Sequence, residues 1–81
     1  MAKPSPLYAG DPVLIAIGKA IRELRGEAGL SQEMLAYDAG IDRSYLGGIE
    51  RGEHNLTIIN LLKVCRCLRI SMSGLLARAG C

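Results

Sequence analysis

The stretch at residues 31–52, SQEMLAYDAGIDRSYLGGIERG, constrains the fold of this chain more than any other. Ser31 is suited to begin a helix, because a serine hydroxyl accepts hydrogen bonds from the free N–H groups of a first turn. The apolar side chains that share one face of that helix are Leu35, Ala36 and Ala39. Gly40 permits the left-handed conformation that ends a helix without a steric penalty. The pattern predicts a short helix followed by a sharp turn.

A second short helix follows directly. Asp42 is suited to cap a helix predicted over residues 43–51, and Gly52 ends it. Ile41 is expected to point inward from the turn, and the buried face of the helix is expected to carry Leu46 and Ile49. Two helices that cross steeply over a short turn need a small side chain where they touch, and Ala36 supplies it. Together these residues predict a helix-turn-helix.

The small, turn and core positions of this motif are Ala36, Gly40, Ile41, Leu46 and Ile49. On these residues the chain resembles the phage-repressor, Cro-like (XRE-type) family of small prokaryotic and phage regulators, over residues 13–79. The resemblance implies an all-α fold, a compact five-helix lambda-repressor-like DNA-binding domain with the helix-turn-helix at helices 2 and 3. Residues 42–45, 48–51 and 55–57 also resemble the controller proteins of restriction–modification systems.

Three more helices are predicted around the motif. The pair Asp11-Pro12 begins the first, after a flexible tail at residues 1–10, so residues 11–81 form the domain. Gly29 ends this helix, and Leu30 is expected to pack on the core. Its apolar stripe consists of Leu14, Ile17, Ile21, Leu24 and Ala28. The fourth helix, over residues 58–68 after a Thr57 cap, has core spacing at Ile58, Leu61, Leu62, Cys65 and Leu68. Ser71 caps a fifth helix that ends near Ala79.

The overall composition of the chain says less about its binding partners than the positions of its charged residues do. Hydrophobic residues make up 49% of the chain and aromatic residues only 4%, so the core is expected to be aliphatic. The formal net charge of +2 is too small to indicate nucleic acid binding by itself. Any interaction with DNA therefore has to follow from where the charges lie.

The three cysteines do not form the pattern of a disulfide framework or a zinc site. We expect Cys65 in the core and Cys67 partly exposed, with no metal and no cofactor. No secretion signal or membrane span is visible, which predicts a soluble cytoplasmic protein of a prokaryotic nucleoid or a phage. No nucleophile stands beside a base, so the chain is not predicted to be an enzyme.

The start of the helix over residues 43–51 carries the predicted contacts to DNA bases. A recognition helix enters the major groove with its N-terminal end closest to the base edges. Arg43 can donate two parallel hydrogen bonds to guanine, worth roughly 1–3 kcal/mol of discrimination. Ser44 can donate to a base or a phosphate. Tyr45 has two alternatives, a hydroxyl contact with a phosphate or packing against the second helix.

Phosphate contacts are predicted on both sides of that helix. Arg51 at its end, and His54 and Asn55 just past it, would face the other strand. His54 is a lone histidine in a polar loop, typical of a phosphate neighbour or a solvated side chain. The resemblance implies that Gln32, at the start of the second helix, also contacts a phosphate.

The resemblance implies further roles and shows two departures from the family. Arg25 is expected to pair with Glu50 and thereby fix the angle of the recognition helix. The family often places a base-reading side chain at the position of Gly48. Since Gly47 and Gly48 have no side chains, the helix would lie closer to DNA, or specificity would depend on DNA shape. Arg69 replaces the usual glycine after the fourth helix, which predicts a strained conformation or a shifted helix end.

The predicted function is a sequence-specific DNA-binding transcriptional regulator that acts as a homodimer on a near-palindromic operator. No small-molecule effector is expected. The predicted dimer interface at the C-terminal helix consists of Ile70, Met72, Leu75, Leu76 and Ala79. The alternative is an antitoxin-like or other protein-interaction module, which would use the same helix and bind its partner without DNA.

Overall fold

The computed structural model describes residues 8–53 and 56–81, and these residues form five α-helices and no strand. The helices are α1 (Pro12–Glu27), α2 (Gln32–Ala39), α3 (Arg43–Glu50), α4 (Ile58–Leu68) and α5 (Met72–Ala79). The predicted all-α class is therefore confirmed. No helix of the described residues combines the length and the apolar character needed to cross a membrane.

Local side-chain caps account for most of the helix starts. The oxygens that accept from a first-turn N–H, at 2.9–3.1 Å, belong to Asp11, Ser31, Thr57 and Ser71. Asp42 occupies the cap position of α3, but its carboxylate accepts no hydrogen bond from that helix's first turn. The prediction of a side-chain cap at Asp42 was wrong. The start of α3 is therefore determined by the turn before it and by packing.

The core is aliphatic, and all five helices contribute buried residues to it. α1 packs against α3 and α5, and α2 packs against α3 and α4. The side chains with the least exposure are Ile21, Leu35, Leu46, Leu75, Val64 and Cys65. Burial raises the pKa of the Cys65 thiol, and all three cysteines are free thiols.

Two residues that were predicted to lie in the core are exposed. Ala28 is exposed because α1 ends at Glu27 and Ala28 is its C-cap. Ile58 is 68% exposed, as is its neighbour Ile59, because the first turn of α4 extends beyond the packed helices. The buried face of α4 begins one turn later.

Gly18 sets the distance between α1 and α3. A Cβ atom built on Gly18 would lie 2.2 Å from the carbonyl oxygen of Ile49 and 2.7 Å from that of Glu50. No other residue fits this space, so the backbone of α1 touches the C-terminal backbone of α3 directly. This contact places α3 relative to the rest of the domain.

The segment before α1 is tied to the end of α3. The N–H of Gly10 donates to the carbonyl of Gly52 at 2.9 Å, and the N–H of Asp11 donates to the carbonyl of Tyr8 at 2.9 Å. Residues 8–10 thus form a turn of the folded domain, so the predicted tail at residues 1–10 included three ordered residues. Residues 1–7 of that predicted tail lie outside the described part of the chain.

The turn between α4 and α5 contains the one non-glycine residue with positive φ among residues 8–53 and 56–81. Arg69 is the C-cap of α4 and has φ 57° and ψ 41°. Of the two alternatives, the chain therefore adopts the left-handed conformation, which costs an L-residue roughly 1–2 kcal/mol.

Candidate nucleic-acid interface

The turn between α2 and α3 has the geometry that the sequence predicts. Gly40 is left-handed, with φ 69°, and its N–H donates to the carbonyl of Tyr37 at 3.1 Å. The N–H of Ile41 donates to the carbonyl of Ala36 at 3.0 Å. Ala36 is 2% exposed, as a small residue at a helix crossing should be. α3 begins three residues after Gly40 at a fixed angle to α2.

An ion pair joins α1 to the end of α3. The Nε of Arg25 donates to Oε2 of Glu50 at 2.8 Å, and Nη2 donates to Oε1 at 3.0 Å. The Glu50 side chain is 3% exposed and that of Arg25 is 16% exposed. The hydrogen bond with Glu50 raises the pKa of Arg25 despite its burial. This is the pair that the family resemblance implies.

Two further hydrogen bonds extend the pair into a network over three helices. The Nε2 of Gln32 donates to Oε1 of Glu50 at 2.9 Å, and Nη1 of Arg25 donates to the carbonyl of Leu30 at 2.9 Å. Glu50 therefore contacts α1 and the first residue of α2. Because desolvation offsets much of the attraction in a buried ion pair, the main effect of this network is geometric. It fixes the orientation of α3.

Arg43 lies at the exposed start of α3. Its Nη1 is 3.5 Å from Oε1 of Gln32, a long contact that leaves the guanidinium at the surface. Since Gln32 directs its NH₂ group to Glu50, its carbonyl oxygen is the atom that faces Arg43. The next residue, Ser44, is partly buried beside it. The two predicted base contacts therefore adjoin each other at the end of the helix that a groove would admit first.

Tyr45 packs and also makes a polar contact. Its ring is partly buried against the core. Its hydroxyl oxygen accepts a hydrogen bond from Nδ2 of Asn60 at 3.0 Å, so it is directed towards α4 rather than α2. Asn60 was not predicted to take part, because a polar residue on the first turn of α4 has the pattern of a solvated side chain. Asn60 fixes the position of a side chain that the sequence assigns to DNA.

Arg51 was predicted to contact a phosphate at the end of α3, and its side chain folds back along the helix. Its Nη1 lies 3.1 Å from the point that a Cβ on Gly47 would occupy. Its Nε and Nη2 donate to the two carboxylate oxygens of Glu53 at 3.0 and 3.2 Å. The hydrogen bond with Glu53 raises the pKa of Arg51. Glu53 was not predicted to take part, since it follows a helix end in a polar segment.

Two sets of predicted residues complete the site. His54 and Asn55, the other predicted phosphate contacts, lie outside the described residues. Of the predicted dimer residues, those that are partly exposed are Ile70, Met72, Leu76 and Ala79. Leu75 is 0% exposed because it packs in the core of its own chain, so it was wrongly assigned to the dimer interface.

Known proteins resemble this chain over most of its length. The sequence profile of the helix-turn-helix family matches residues 21–75. The control protein C.SmaI from Serratia marcescens is 38% identical over 64 residues, which are 79% of this chain and 76% of that protein. The control protein C.BamHI from Bacillus amyloliquefaciens is 31% identical over 65 residues, 79% of this chain and 80% of that one.

Solved structures of other regulators also superpose on this chain over most of its length. The restriction-modification controller protein C.AhdI from Aeromonas hydrophila superposes with a TM-score of 0.75 at 48% identity, over 76% of this chain and 94% of that one. The clp gene regulator ClgR from C. glutamicum superposes with a TM-score of 0.81 at 30% identity, over 95% and 92% of the two chains.

Proposed function

The chain belongs to the helix-turn-helix family of DNA-binding transcriptional regulators, and on that premise we propose that it is a controller protein of the restriction–modification type. It binds a near-palindromic operator as a homodimer, with α3 in the major groove. Arg43 and Ser44 contact base edges. Gln32 and Tyr45 contact phosphates beside them. The chain has no catalytic role in this function.

The network around Glu50 is the observation that carries the proposal. It attaches the end of α3 to α1 and α2 through hydrogen bonds of 2.8–3.0 Å, while Arg43 at the other end is exposed. Because the backbone of α3 is already fixed, only the Arg43 side chain has to become ordered when it meets a guanine, and bidentate contacts of this kind discriminate between bases. A fixed helix with an exposed arginine at its start is therefore suited to direct readout.

The two phosphate contacts use side chains whose orientation is already set. Gln32 and Tyr45 are each held by a neighbour, Glu50 and Asn60 respectively. Contacts of this type position a protein on the duplex without reading its sequence. His54 and Asn55 are proposed to extend the phosphate contacts on the basis of the sequence alone.

The homodimer is proposed from the surface of the C-terminal part. Ile70, Met72, Leu76 and Ala79 keep part of their apolar surface exposed near α5. A second copy that covers this surface about a two-fold axis would set the two α3 helices about 34 Å apart, one turn of the duplex. Each subunit would then contact one half of the operator.

Selection of bound fragments from random DNA tests the proposal. We expect wild type to recover two inverted half-sites about one turn apart, each with a guanine at a fixed position. Arg43→Ala should lose the preference for that guanine, by roughly 1–3 kcal/mol, because its bidentate donor is removed. Arg66→Ala is the matched control, since Arg66 is an exposed arginine on α4.

Three results would contradict the proposal. Recovery of no common sequence by wild type would favour the protein-interaction alternative. If Arg43→Ala and Arg66→Ala lose the guanine preference equally, α3 does not contact the bases as proposed. A single half-site without its inverted copy would contradict the homodimer.

A further inference from the structure

The unusual feature of α3 is the pair of glycines at its centre, and the structure shows what lies over the first of them. The points closest to a Cβ built on Gly47 are Nη1 of Arg51, at 3.1 Å, and the side-chain amide of Gln32, at 3.7 and 3.8 Å. A side chain at position 47 would compete with the guanidinium for this space. The absence of a side chain there therefore lets Arg51 lie across the middle of the helix.

The position of Arg51 follows from helix geometry. Its backbone is helical, with φ −90° and ψ −3°, so it continues the helical path of α3. Residues 43, 47 and 51 are four apart and share one face, and side chains point towards the helix N-terminus. The guanidinium of Arg51 thus lies over position 47, one turn along the helix from position 43. At 1.5 Å per residue, positions 43 and 47 are about 6 Å apart along the helix axis, close to two base-pair steps of about 3.4 Å.

Glu53 holds Arg51 in this orientation from a rigid turn. Gly52 has φ 74°, and its N–H donates to the carbonyl of Ile49 at 3.0 Å. The N–H of Glu53 donates to the carbonyl of Gly48 at 2.9 Å, which completes a Schellman cap. The Glu53 backbone is fixed immediately after α3. Its carboxylate therefore extends from a fixed backbone. Both side chains are largely exposed, 59% for Arg51 and 39% for Glu53, so the bidentate geometry of the pair favours this orientation without locking it.

The hydrogen bonds to Glu53 leave one edge of the guanidinium available. An arginine side chain has five N–H donors, and Glu53 accepts from Nε and Nη2 at 3.0 and 3.2 Å. Within residues 8–53 and 56–81, Nη1 donates to no other group. The Nη1 and Nη2 edge is thus free to donate two parallel hydrogen bonds, the arrangement that matches O6 and N7 of guanine.

Charge distinguishes a base from a phosphate as the acceptor. The Glu53 carboxylate lies within 3.2 Å of the guanidinium, so it would repel a phosphate brought to the same group. A guanine edge is uncharged and presents two acceptors, so it does not meet this repulsion. The arrangement therefore favours a base over the backbone.

We propose that Arg51, laid across Gly47 and positioned by Glu53, is a second base-reading residue that recognises a guanine in each half-site, about two base pairs from the one read by Arg43. This rests on the proposed function, since it requires α3 to occupy the major groove. The lack of a side chain at Gly47 leaves the space that the Arg51 guanidinium occupies. Glu53 is a positioning residue that does not touch DNA.

The experiment compares the sequences selected from random DNA by wild type, Arg51→Ala, Arg51→Lys and Glu53→Gln. Arg51→Ala should lower the preference for one guanine per half-site about ten- to hundredfold and leave the Arg43 position unchanged. Arg51→Lys should not restore it, because an ammonium cannot make the two parallel hydrogen bonds. Glu53→Gln should weaken the same preference several-fold. Arg66→Lys is the charge-conserving control on α4, and thermal unfolding checks that each variant folds.

The outcomes distinguish failure of this inference from failure of the proposed function on which it rests. If wild type selects no sequence, both the proposed function and the proposed role of Arg51 are wrong. If wild type selects a site but Arg51→Ala weakens all sequences equally and Arg51→Lys restores them, Arg51 contacts a phosphate and only the inference is overturned. If Glu53→Gln raises affinity for all sequences with the guanine preference unchanged, Glu53 competes with DNA, and the inference is again overturned.

Discussion

α1 contacts two other helices in two different ways. Against α3, its backbone touches the Ile49 and Glu50 carbonyls at Gly18, and Arg25 makes a bidentate pair with a carboxylate that is 3% exposed. Against α5, a shallow groove remains, and the Arg78–Glu27 pair at its edge has side chains that are 38% and 58% exposed. The groove is lined by Ala16, Lys19, Ala20, Glu23, Arg78 and Ala79.

The difference shows where this domain requires fixed geometry. α3 carries the predicted base contacts, so a rotation of that helix would move Arg43 relative to a base. Contacts through backbone and buried charge leave few alternative arrangements. α5 is attached to the core by apolar packing through Leu75, and its solvated ion pair with α1 adds little constraint. Two substitutions test how far the two contacts of α1 differ, and a third tests the turn that leads to α5; they follow in order of expected effect.

The largest effect is expected from Arg25→Ala. It leaves the Glu50 carboxylate buried with Gln32 as its remaining side-chain donor, and loss of one partner of a buried pair costs about 3 kcal/mol. Arg78→Ala is the matched control, since its pair is exposed, and it should leave the unfolding midpoint unchanged. Chemical denaturation of both variants gives the free energy of unfolding that each substitution costs. Equal shifts in midpoint would mean that the two attachments of α1 do not differ.

The next effect is expected from Gly18→Ala. The new Cβ would lie 2.2 Å from the Ile49 carbonyl oxygen, so α1 and α3 must separate, at a cost of roughly 2–3 kcal/mol. Gly26→Ala on the same helix has nothing within 4 Å of its Cβ. It should stabilise the protein by up to about 1 kcal/mol, because alanine favours a helix. Thermal unfolding of the two variants gives the test, and a neutral Gly18→Ala would exclude the close approach.

The smallest effect is expected from Arg69→Gly in the turn that leads to α5. Glycine adopts the left-handed conformation of this C-cap without strain, so the variant should be more stable by roughly 0.5–1 kcal/mol. DNA selection should be unchanged, since Arg69 is exposed and lies on the side of α4 and α5. A loss of stability in the unfolding curve would assign Arg69 a contact that offsets its strain.

Much of the fold could be predicted because its signals are local. The bounds of α4 and α5 agree with the prediction, as do the caps at Ser31 and Ser71 and the turn at Gly40. Each depends on residues within a few positions of one another. The family was also confirmed, since its motif lies within one continuous stretch. The Arg25–Glu50 pair followed from the resemblance and not from spacing, because 25 residues separate its members.

Features that depend on how the helices pack were missed. Leu75 shares the apolar face of α5 with Met72, Leu76 and Ala79, and spacing alone does not show that only Leu75 is 0% exposed in the core. Asn60 and Tyr45 meet only because α4 lies beside α3. The direction of the Arg51 side chain was not predicted, and it depends on the open space at Gly47 and the position of Glu53 after the turn.

The sequence by itself determined five helices, four of their side-chain caps, the helix-turn-helix and the exposed start of α3, since these follow from interactions between near neighbours in the chain. Only the tertiary structure decided that Gln32 also binds Glu50, where the backbone of α1 touches α3 and what covers Gly47. Those features are distances between segments that the chain brings together on folding, and no local pattern of residues encodes them.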